Sequence, residues 1–417
     1  MSDYKLNFQN TEIAFASKSN AELQKRYWLF SLMNSPVLTS LGTKSAELGL
    51  SFGLPIKALI KQTVFRQFCG GETIAECEPV IQDLGRSNIG TILDYSVEGK
   101  SNEAVFENTK NEILRTLERA NADKNVPFAV FKTTGVARFE LLEKVSAKQE
   151  LTDDEEVEWQ RAKDRVWEIC DYANAIDQPL FIDAEESWIQ DAIDGIAISI
   201  MEEYNRYKPL VYNTIQLYRN DRLTFLKESH VDAKEKGYFL AVKLVRGAYM
   251  EKERARAAAL NYPSPIQPDK DATDRDFNAA VRYCLDHLEN TAFVNGSHNE
   301  ESVQLLIQAM DEKNISHNHP HVNFSQLYGM SDNLSYVLAD AGYNVSKYVP
   351  YGPVKDALPY LIRRAKENTA VVGQMSRELE LIDKEIKRRR RSAKQNSAPK
   401  RIPIEESDNV LSEMRKR

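Results

Sequence analysis

The stretch YLIRRAKENTA, residues 360–370, places two adjacent arginines between a tyrosine and a glutamate. Tyr360, Arg363, Arg364 and Glu367 have the spacing i, i+3, i+4, i+7, so they share one face of any helix formed here. Two neighbouring arginines on a helix are about 100° apart and can hold one carboxylate from two directions. The stretch is thus either an anion-binding face or a solvated helix face with a salt bridge between Arg363 and Glu367.

Polar residues also end several short β-rich segments of the sequence. These residues are Lys132, Asp183, Glu185, Gln216, Tyr218, Lys243, Arg246, Tyr249, His298 and Asn299. Strand alternation puts Lys243, Val245 and Gly247 on one side of their segment. A lysine that projects into a protein interior needs an anionic partner, and Asp183 is the candidate. Each residue alone is explained by a structural ion pair, but their recurrence over five segments predicts a site for an anionic small molecule.

The elements that must position these residues alternate between strand and helix. Eight β-rich segments are each followed by a helical pattern, at 88–96, 128–135, 179–186, 210–218, 239–249, 291–298, 321–329 and 344–352. This order predicts an α/β protein with a (β/α)8 TIM barrel, whose chemistry lies at the carboxyl ends of the strands. An open, doubly wound sheet is the alternative, although no GxGxxG fingerprint follows a strand.

Composition narrows the class of protein. The chain has 417 residues, 28% of them charged, and a net charge of −7, which argues against nucleic acid as a partner. The four cysteines are scattered and predict neither a disulfide framework nor a zinc site. No signal peptide, transit peptide or membrane-spanning segment is evident, which predicts a bacterial-type cytoplasmic protein, at most peripheral to the inner membrane.

Three regions are expected along the chain. Residues 1–87 form a helical arm that packs on the barrel, residues 88–383 form the barrel, and residues 384–417 form a basic tail. The tail is expected to be disordered, or else to bind anionic lipid headgroups. The histidines of SHNHPH precede the seventh strand and lie away from the strand ends, so we predict no metal site.

Several motifs resemble those of proline dehydrogenase, the FAD-dependent proline oxidase. They are GGETIAE, IDAEES, KLVRGAY, FVNGSHNEES, FSQLYGMSDNLS and YVPYGPVKDALPYLIRRAKENTA, and they occur in the family's order. The resemblance is to the monofunctional form. It implies a distorted (β/α)8 barrel that binds FAD and proline, with FAD across the strand ends and the last helix over the substrate.

The resemblance also implies roles for individual residues. Arg363 and Arg364 match the pair that binds the proline carboxylate, assisted by Lys132. Asp183, Tyr249 and Tyr360 match residues around the proline ring, and Glu72 the glutamate that pairs with the first arginine. Residues that match contacts to FAD are Gln216, Lys243, Val245, Gly247, Lys270, Thr273, His298, Asn299 and Glu367. Lys243 stands where the bifunctional bacterial branch has an arginine.

The expected reaction is oxidation of L-proline to 1-pyrroline-5-carboxylate, with hydride transfer to FAD N5 and electrons passed to a membrane quinone. Ser335 is placed where the bifunctional branch has a tyrosine that shields the proline ring, so hydroxyproline dehydrogenase is an alternative. A Schiff-base aldolase that uses Lys132 or Lys243 is another. A non-enzyme alternative is an adaptor on an inactive barrel, which acts through its basic tail.

Overall fold

Eight parallel strands form a closed barrel in the computed structural model, which describes residues 5–34, 57–96, 102–370 and 374–397. The strands are β1 (Ile89–Tyr95), β2 (Phe128–Lys132), β3 (Leu180–Asp183), β4 (Val211–Gln216), β5 (Leu240–Val245), β6 (Thr291–Gly296), β7 (Val322–Leu327) and β8 (Val345–Tyr351). They follow one another around the barrel in chain order, and β8 closes it by pairing with β1. The predicted (β/α)8 fold is confirmed, and the open sheet is wrong because every strand has two neighbours.

Helices precede the barrel and follow each of its strands. Before β1 lie α1 (Thr11–Ala14), α2 (Asn20–Met33), α3 (Lys57–Ile60, a π-helical turn Lys61–Phe65, then Arg66–Phe68) and α4 (Ile74–Gly85). After it lie α5 (Glu103–Asn121), α6 (Phe139–Ser146), α7 (Asp153–Ala175), α8 (Ser187–Tyr204), α9 (Arg222–Lys236), α10 (Met250–Leu260), α11 (Lys270–Asp286), α12 (Glu300–Glu312), α13 (Asp332–Asp340), α14 (Val354–Ala370) and α15 (Gln374–Ser397). Ser19 with Glu22, and Thr152 with Glu155, form the capping boxes that begin α2 and α7.

The barrel interior has an apolar floor. Phe128 stacks on Phe181 with ring centroids 4.5 Å apart, and Tyr212 meets both rings edge-on. Because successive side chains of a strand alternate between its faces, Lys132 is the inward residue after Val130 in β2, and Asp183 is the one after Phe181 in β3. The strands thus place a polar layer directly above the apolar floor, at their carboxyl ends.

Helices from both ends of the chain pack together beside the turns that follow β7 and β8. Their shared apolar cluster includes Phe30 of α2, Phe68 of α3, Tyr360 of α14 and Leu381 of α15. Met330, from the β7–α13 turn, joins the same cluster. This packing lets α2 and α15, which lie far apart in the sequence, both reach the polar end of the barrel.

The prediction of a disordered tail from residue 384 is wrong for residues 384–397, which form the second half of α15. Buried Glu385 binds the guanidinium groups of Arg388 and Arg389 at 2.8 and 2.6 Å. Arg389 also donates to the carbonyl oxygens of Phe15 and Lys18. The basic run is therefore partly a means of docking α15 onto the N-terminal region. The tail beyond Ser397 lies outside the described residues.

None of the helices in the described ranges is long and apolar enough to cross a membrane.

Candidate active site

Five polar residues from five strands meet inside the barrel, and we call them the inner cluster: Asp94, Lys132, Asp183, Lys243 and Tyr348. Lys132 Nζ lies 3.0 and 3.1 Å from the two carboxylate oxygens of Asp94. It also lies 3.6 Å from Asp183 Oδ2. Lys132 thus bridges two aspartates and brings β1, β2 and β3 into one network.

Asp183 is the centre of the inner cluster. It binds Lys243 Nζ through Oδ1 and accepts a 2.7 Å hydrogen bond from Tyr348 Oη through Oδ2. Burial raises the pKa of Asp183, but the charges of Lys243 and Lys132 and these hydrogen bonds outweigh it, so the pKa is lowered. The carboxylate is therefore ionised, and it supplies the partner that the sequence predicted for Lys243.

Two members of the inner cluster were missed in the sequence. Asp94 is the inward residue near the end of β1, and Tyr348 is the inward residue at the middle of β8. The signal for Asp94 was present, because it sits two residues after inward Ile92 in the same alternation. Tyr348 gives no such signal, because a tyrosine in a buried strand is equally common in an apolar core.

Helix α14 brings its arginines to the strand ends. The Arg363 guanidinium lies over the ring of Tyr249, 5.3 Å from its centroid, and Arg364 lies 5.7 Å from the centroid of Tyr360. Tyr360 is buried, and its hydroxyl has no hydrogen-bond partner among the described residues. A buried hydroxyl without a partner is costly, so this oxygen marks a place where a ligand can donate or accept a hydrogen bond. The anion-binding interpretation of YLIRRAKENTA stays a prediction.

The backbone at the carboxyl ends of β4 and β5 is closely surrounded by neighbouring side chains. Gln216 Nε2 donates to the carbonyl oxygen of Glu185 at 2.6 Å, which fixes its amide. Gly247 has φ of 133°, and a Cβ placed there would lie 2.5 Å from the ring of Tyr218. Only glycine fits this position, because it has both a positive φ and a neighbour in the place of its side chain. Val245, two residues earlier, ends β5.

Arg246 connects β5 to the start of α11. Its Nε lies 2.7 Å from Asp274 Oδ1, and its two terminal nitrogens donate to the hydroxyls of Ser297 and Ser302. Asp274 also binds Lys270. The two α11 residues with predicted cofactor contacts, Lys270 and Thr273, are thus held beside the end of β5. Thr273 is buried and donates to the carbonyl of Asp269 at 3.2 Å.

His298 and Asn299 occupy the turn after β6. Asn299 caps α12, since its side-chain oxygen accepts from the amides of residues 301 and 302. Burial, together with the charges of Lys347, Arg364 and Arg246, lowers the pKa of His298 to about 3. The imidazole is therefore neutral at physiological pH.

Three further predicted residues are Glu72, Ser335 and Glu367. Glu72, the expected partner of Arg363, forms a 2.9 Å ion pair with Lys61 of the π-helical turn. Ser335, predicted to border the substrate, is fully buried in α13 and donates to Gln326 Oε1 at 2.8 Å, outside the inner cluster. Glu367 belongs to α14, but its side chain lies outside the described residues.

The histidines of SHNHPH make separate structural contacts. His317 stacks on Tyr343 with centroids 4.2 Å apart, and His321 Nδ1 lies 3.0 Å from the carbonyl oxygen of Leu288. Over the described part of the chain, no three histidine, cysteine, aspartate or glutamate side chains are arranged to hold a metal ion.

A sequence model described as "Proline dehydrogenase" matches residues 77–377, which is most of the chain and includes the whole barrel. The chain belongs to the proline dehydrogenase family. Its similarity extends to mitochondrial proline dehydrogenase 1 of Dictyostelium discoideum, with 30% identity over 91% of this chain and 74% of that one. The family is one of oxidoreductases, and this membership agrees with the barrel and the resemblance of the motifs.

The chain is also similar to relatives that carry different names. A carbapenem antibiotics biosynthesis protein, CarD, of Pectobacterium carotovorum is 34% identical over 77% of this chain and 83% of its own. A hydroxyproline dehydrogenase of Xenopus laevis is 30% identical over 90% of this chain and 88% of its own. Membership of the proline dehydrogenase family therefore does not identify the substrate, which depends on the residues of the site.

Among solved structures, proline utilization A from Bdellovibrio bacteriovorus superposes with a TM-score of 0.69 at 18% identity. The match covers 89% of this chain but only 40% of that one. At this identity the likeness concerns the fold, and it supports the proline dehydrogenase barrel described above.

Proposed function

We propose that this protein oxidises L-proline to 1-pyrroline-5-carboxylate with FAD as its cofactor. The observation that carries the proposal is the inner cluster itself: a buried, ionised Asp183 held by Lys243, Lys132 and Tyr348, next to the arginine pair of α14. An amino acid that presents a carboxylate to cations and a ring to tyrosines matches this chemistry.

The residues around β4, β5 and β6 fit a flavin. Gly247 carries no side chain into the site, because the ring of Tyr218 lies where a Cβ would be. The amide of Gln216, the cationic Lys243 and Lys270, and the neutral His298 supply the mixture of donors and positive charge that a flavin with a pyrophosphate requires. We propose that these residues, with Val245, Thr273, Asn299 and Glu367, hold FAD. The bound flavin would supply the hydride acceptor.

The substrate would be held from above by α14. Arg363 and Arg364 would bind the carboxylate, and Lys132 would assist from the barrel wall. Clamping one end of a small ring fixes the position of the carbon next to nitrogen, which is a proximity effect. Tyr360 and Tyr249 would pack on the ring, and the ionised Asp183 would lie below it.

The cations of the site would also govern protonation of the substrate. A proline amine must be neutral before its neighbouring carbon can release a hydride. Positive charges close to the amine disfavour a second positive charge, so Lys132 and Lys243 would promote its deprotonation. Lys243 would in addition stabilise negative charge that develops beside it during electron transfer. Glu72, which forms an ion pair with Lys61, would close the site by pairing with Arg363 as well.

We further propose that the electrons pass to a quinone and that the protein attaches to the membrane surface. This part of the proposal is supported by the family and by the basic composition of the C-terminal region. Arg389 is engaged within the molecule, so attachment would depend on residues such as Arg390 and Arg391, which are exposed. Cosedimentation with anionic vesicles would test the membrane attachment. An equal yield with neutral vesicles would show that the C-terminal region does not bind anionic lipid headgroups specifically.

The experiment that tests the proposed reaction is an anaerobic visible spectrum. Purified protein should be yellow, and L-proline should bleach the flavin band. A chain produced with ample riboflavin that binds no flavin would contradict the proposal.

Substitution of Arg364 tests the carboxylate clamp. Arg364→Ala should raise the KM for proline by about 10²-fold, because a charged hydrogen-bonded contact of about 3 kcal/mol is lost from ground and transition states alike. Arg390→Ala, an exposed arginine on α15, is the matched control and should leave the KM unchanged. An unchanged KM in Arg364→Ala would remove this residue from the clamp.

A second candidate substrate is hydroxyproline, favoured by the similarity to the Xenopus laevis enzyme. The ratio of kcat/KM for proline and hydroxyproline, measured on the same preparation, decides between them. The Schiff-base aldolase is less well supported, because the Lys243 amine is engaged by the Asp183 carboxylate. Trapping of a substrate on Lys243 by borohydride would support the aldolase instead.

A further inference from the structure

The C-terminal helix α15 reaches the turn between β7 and α13. Glu378, on the second turn of α15, accepts a hydrogen bond from the amide of Ser331 with a distance of 2.5 Å to Oε1. Glu378 is buried, and so is Ser331. Arg377, its neighbour on α15, binds Glu300 at 2.9 Å, directly after the His298–Asn299 turn. Helix α15 therefore contacts two of the turns that border the proposed flavin site.

The β7–α13 turn is held in an unfavourable conformation. Ser331 has φ of 50° and ψ of 43°, a left-handed conformation that residues other than glycine rarely adopt. Gly329, two residues before it, also has a positive φ, of 80°. The carbonyl oxygen of Gly329 accepts a 2.9 Å hydrogen bond from the side chain of Gln67. Glycine adopts a positive φ readily, but a left-handed serine persists only where its surroundings hold it, and the surroundings of this turn include α3 and α15.

The residue that follows Ser331 is fixed just as firmly. Asp332 binds Arg26 of α2 at 2.6 Å and Lys347 of β8 at 2.9 Å. Lys347 is fully buried and also donates to the carbonyl of Met330. We call Arg26, Asp332, Lys347 and Glu378 the outer cluster, because it lies on the outer side of β8. Two of its four members, Arg26 and Glu378, lie outside the matched residues 77–377.

Ser331, held in its left-handed conformation, contacts the ring of His298. The Ser331 hydroxyl lies 2.8 Å from His298 Nδ1, while the amide of Leu327 donates to His298 Nε2 at 3.4 Å. Because Nε2 accepts, the single proton of the neutral ring is on Nδ1, which donates to the serine oxygen. The tautomer and the orientation of His298 are thus set by the position of Ser331.

We propose that Glu378, acting through Ser331, positions His298, so that helix α15 is part of the flavin site. Glu378 is a positioning residue: its carboxylate holds the Ser331 amide, and with it the hydroxyl that accepts from His298. This inference rests on the proposed function in one respect only, that His298 borders the flavin.

The test compares Glu378→Ala, Glu378→Asp and Glu378→Gln with Ser331→Ala. Glu380→Ala is the matched control, because Glu380 is an exposed glutamate on the same helix. The first readout is the 15N chemical shifts of the His298 ring nitrogens in protein without flavin, assigned with His298→Asn. Native protein should show a protonated Nδ1 and an unprotonated Nε2.

Removing the acceptor should release the ring. Ser331→Ala and Glu378→Ala should move both nitrogen shifts toward the average of the two tautomers. Glu378→Asp, whose side chain is one methylene shorter, should move the shifts in the same direction but less. This variant still tests the proposal if Glu378→Ala does not fold. Glu378→Gln keeps an oxygen acceptor and should restore the native shifts, as should Glu380→Ala. Native shifts in folded Glu378→Ala or Glu378→Asp would overturn the proposal.

The second readout is flavin affinity. Loss of one hydrogen bond of ordinary strength corresponds to about a tenfold change in a dissociation constant. Glu378→Ala and Ser331→Ala should therefore bind FAD about tenfold more weakly, with Glu378→Gln and the Glu380 control close to native. Equal affinity in Glu378→Ala and native protein would remove α15 from the flavin site. If native protein binds no flavin at all, the proposed function fails, yet the ring-nitrogen measurement still decides whether Glu378 positions His298.

Discussion

Two buried clusters of charge meet at strand β8, and they differ in what encloses them. Tyr348 points into the barrel and joins the inner cluster, whereas its neighbour Lys347 points outward into the outer cluster. The inner cluster lies at the strand ends beside the arginines of α14. The outer cluster is closed on all sides by α2, α13 and α15. One strand thus supports the proposed ligand site on one face and a structural network on the other.

The comparison shows how similar residues acquire different tasks. Both clusters contain two positive side chains and two carboxylates. In the outer cluster, α2, β8, α13, α15 and the β7–α13 turn supply the partners, so the charges bind one another and chiefly fix that turn. The inner cluster is assembled from strand ends, where a small molecule can enter, and so its charges can act on a substrate.

The largest effect on stability is expected from the outer cluster. Asp332→Ala would leave Arg26 and Lys347 buried without their shared carboxylate, and should lower the free energy of unfolding by about 3–5 kcal/mol. Asp340→Ala, on the same helix but exposed, should change it by less than about 0.5 kcal/mol. Chemical denaturation of both variants is the measurement. Equal stability of the two would mean that the outer cluster is not structural.

For the inner cluster, the larger effect is expected on activity. Lys243→Met should reduce kcat by about 10²-fold, by removing positive charge from the reacting end of the site. Its unfolding free energy should fall by less than in Asp332→Ala, because Asp183 keeps Tyr348 at 2.7 Å and Lys132 at 3.6 Å. Lys243→Arg, which keeps the charge, should recover part of the rate. Full activity of Lys243→Met would show that the charge of the inner cluster does not act on the substrate.

A pH dependence should distinguish Glu378 from the other members of the outer cluster. Burial and the charge of Asp332 raise its pKa to about 7, although the Ser331 amide, Lys347 and Arg26 oppose them. Because the folded-state pKa is above the ordinary 4.5, the folded protein binds more protons between these pH values, and stability falls as pH rises through that range.

Glu378→Gln removes this titration. Its unfolding free energy relative to native should therefore increase by about 3 kcal/mol between pH 4 and pH 8, at 1.36 kcal/mol for each pKa unit. Denaturation curves of both proteins at several pH values provide the measurement. Parallel pH profiles would show that Glu378 ionises normally in the folded state.

The smallest effect is expected at the surface of α15. Lys387 and Asp383 form a 2.5 Å ion pair one turn apart, but both side chains are more than one third exposed. Solvent screens such pairs, so Lys387→Ala should change the unfolding free energy by less than about 0.5 kcal/mol. A loss above about 1 kcal/mol would show that charge on this helix matters even outside the outer cluster.

Much of the barrel and part of the site could be predicted from local pattern. The alternation of β-rich and helical segments identified all eight strands, and the polar residues that end them included Lys132, Asp183 and Lys243, which the structure joins. The family resemblance assigned Ser335 to the substrate site, whereas the structure buries it in α13 with its hydroxyl bonded to Gln326 of β7. Composition alone did not predict the C-terminal region, where a basic sequence forms a docked helix.

The sequence by itself determined the order of strands and helices and the residue types at each strand end, because alternation and helical spacing are local properties of the chain. It also placed Arg363 and Arg364 side by side. Only the tertiary structure decided which charges become partners. Arg26, Asp332 and Glu378 are separated by hundreds of residues or by a whole barrel unit, and they meet because α2 and α15 pack together. No spacing along the chain records a contact that arises from the packing of distant helices.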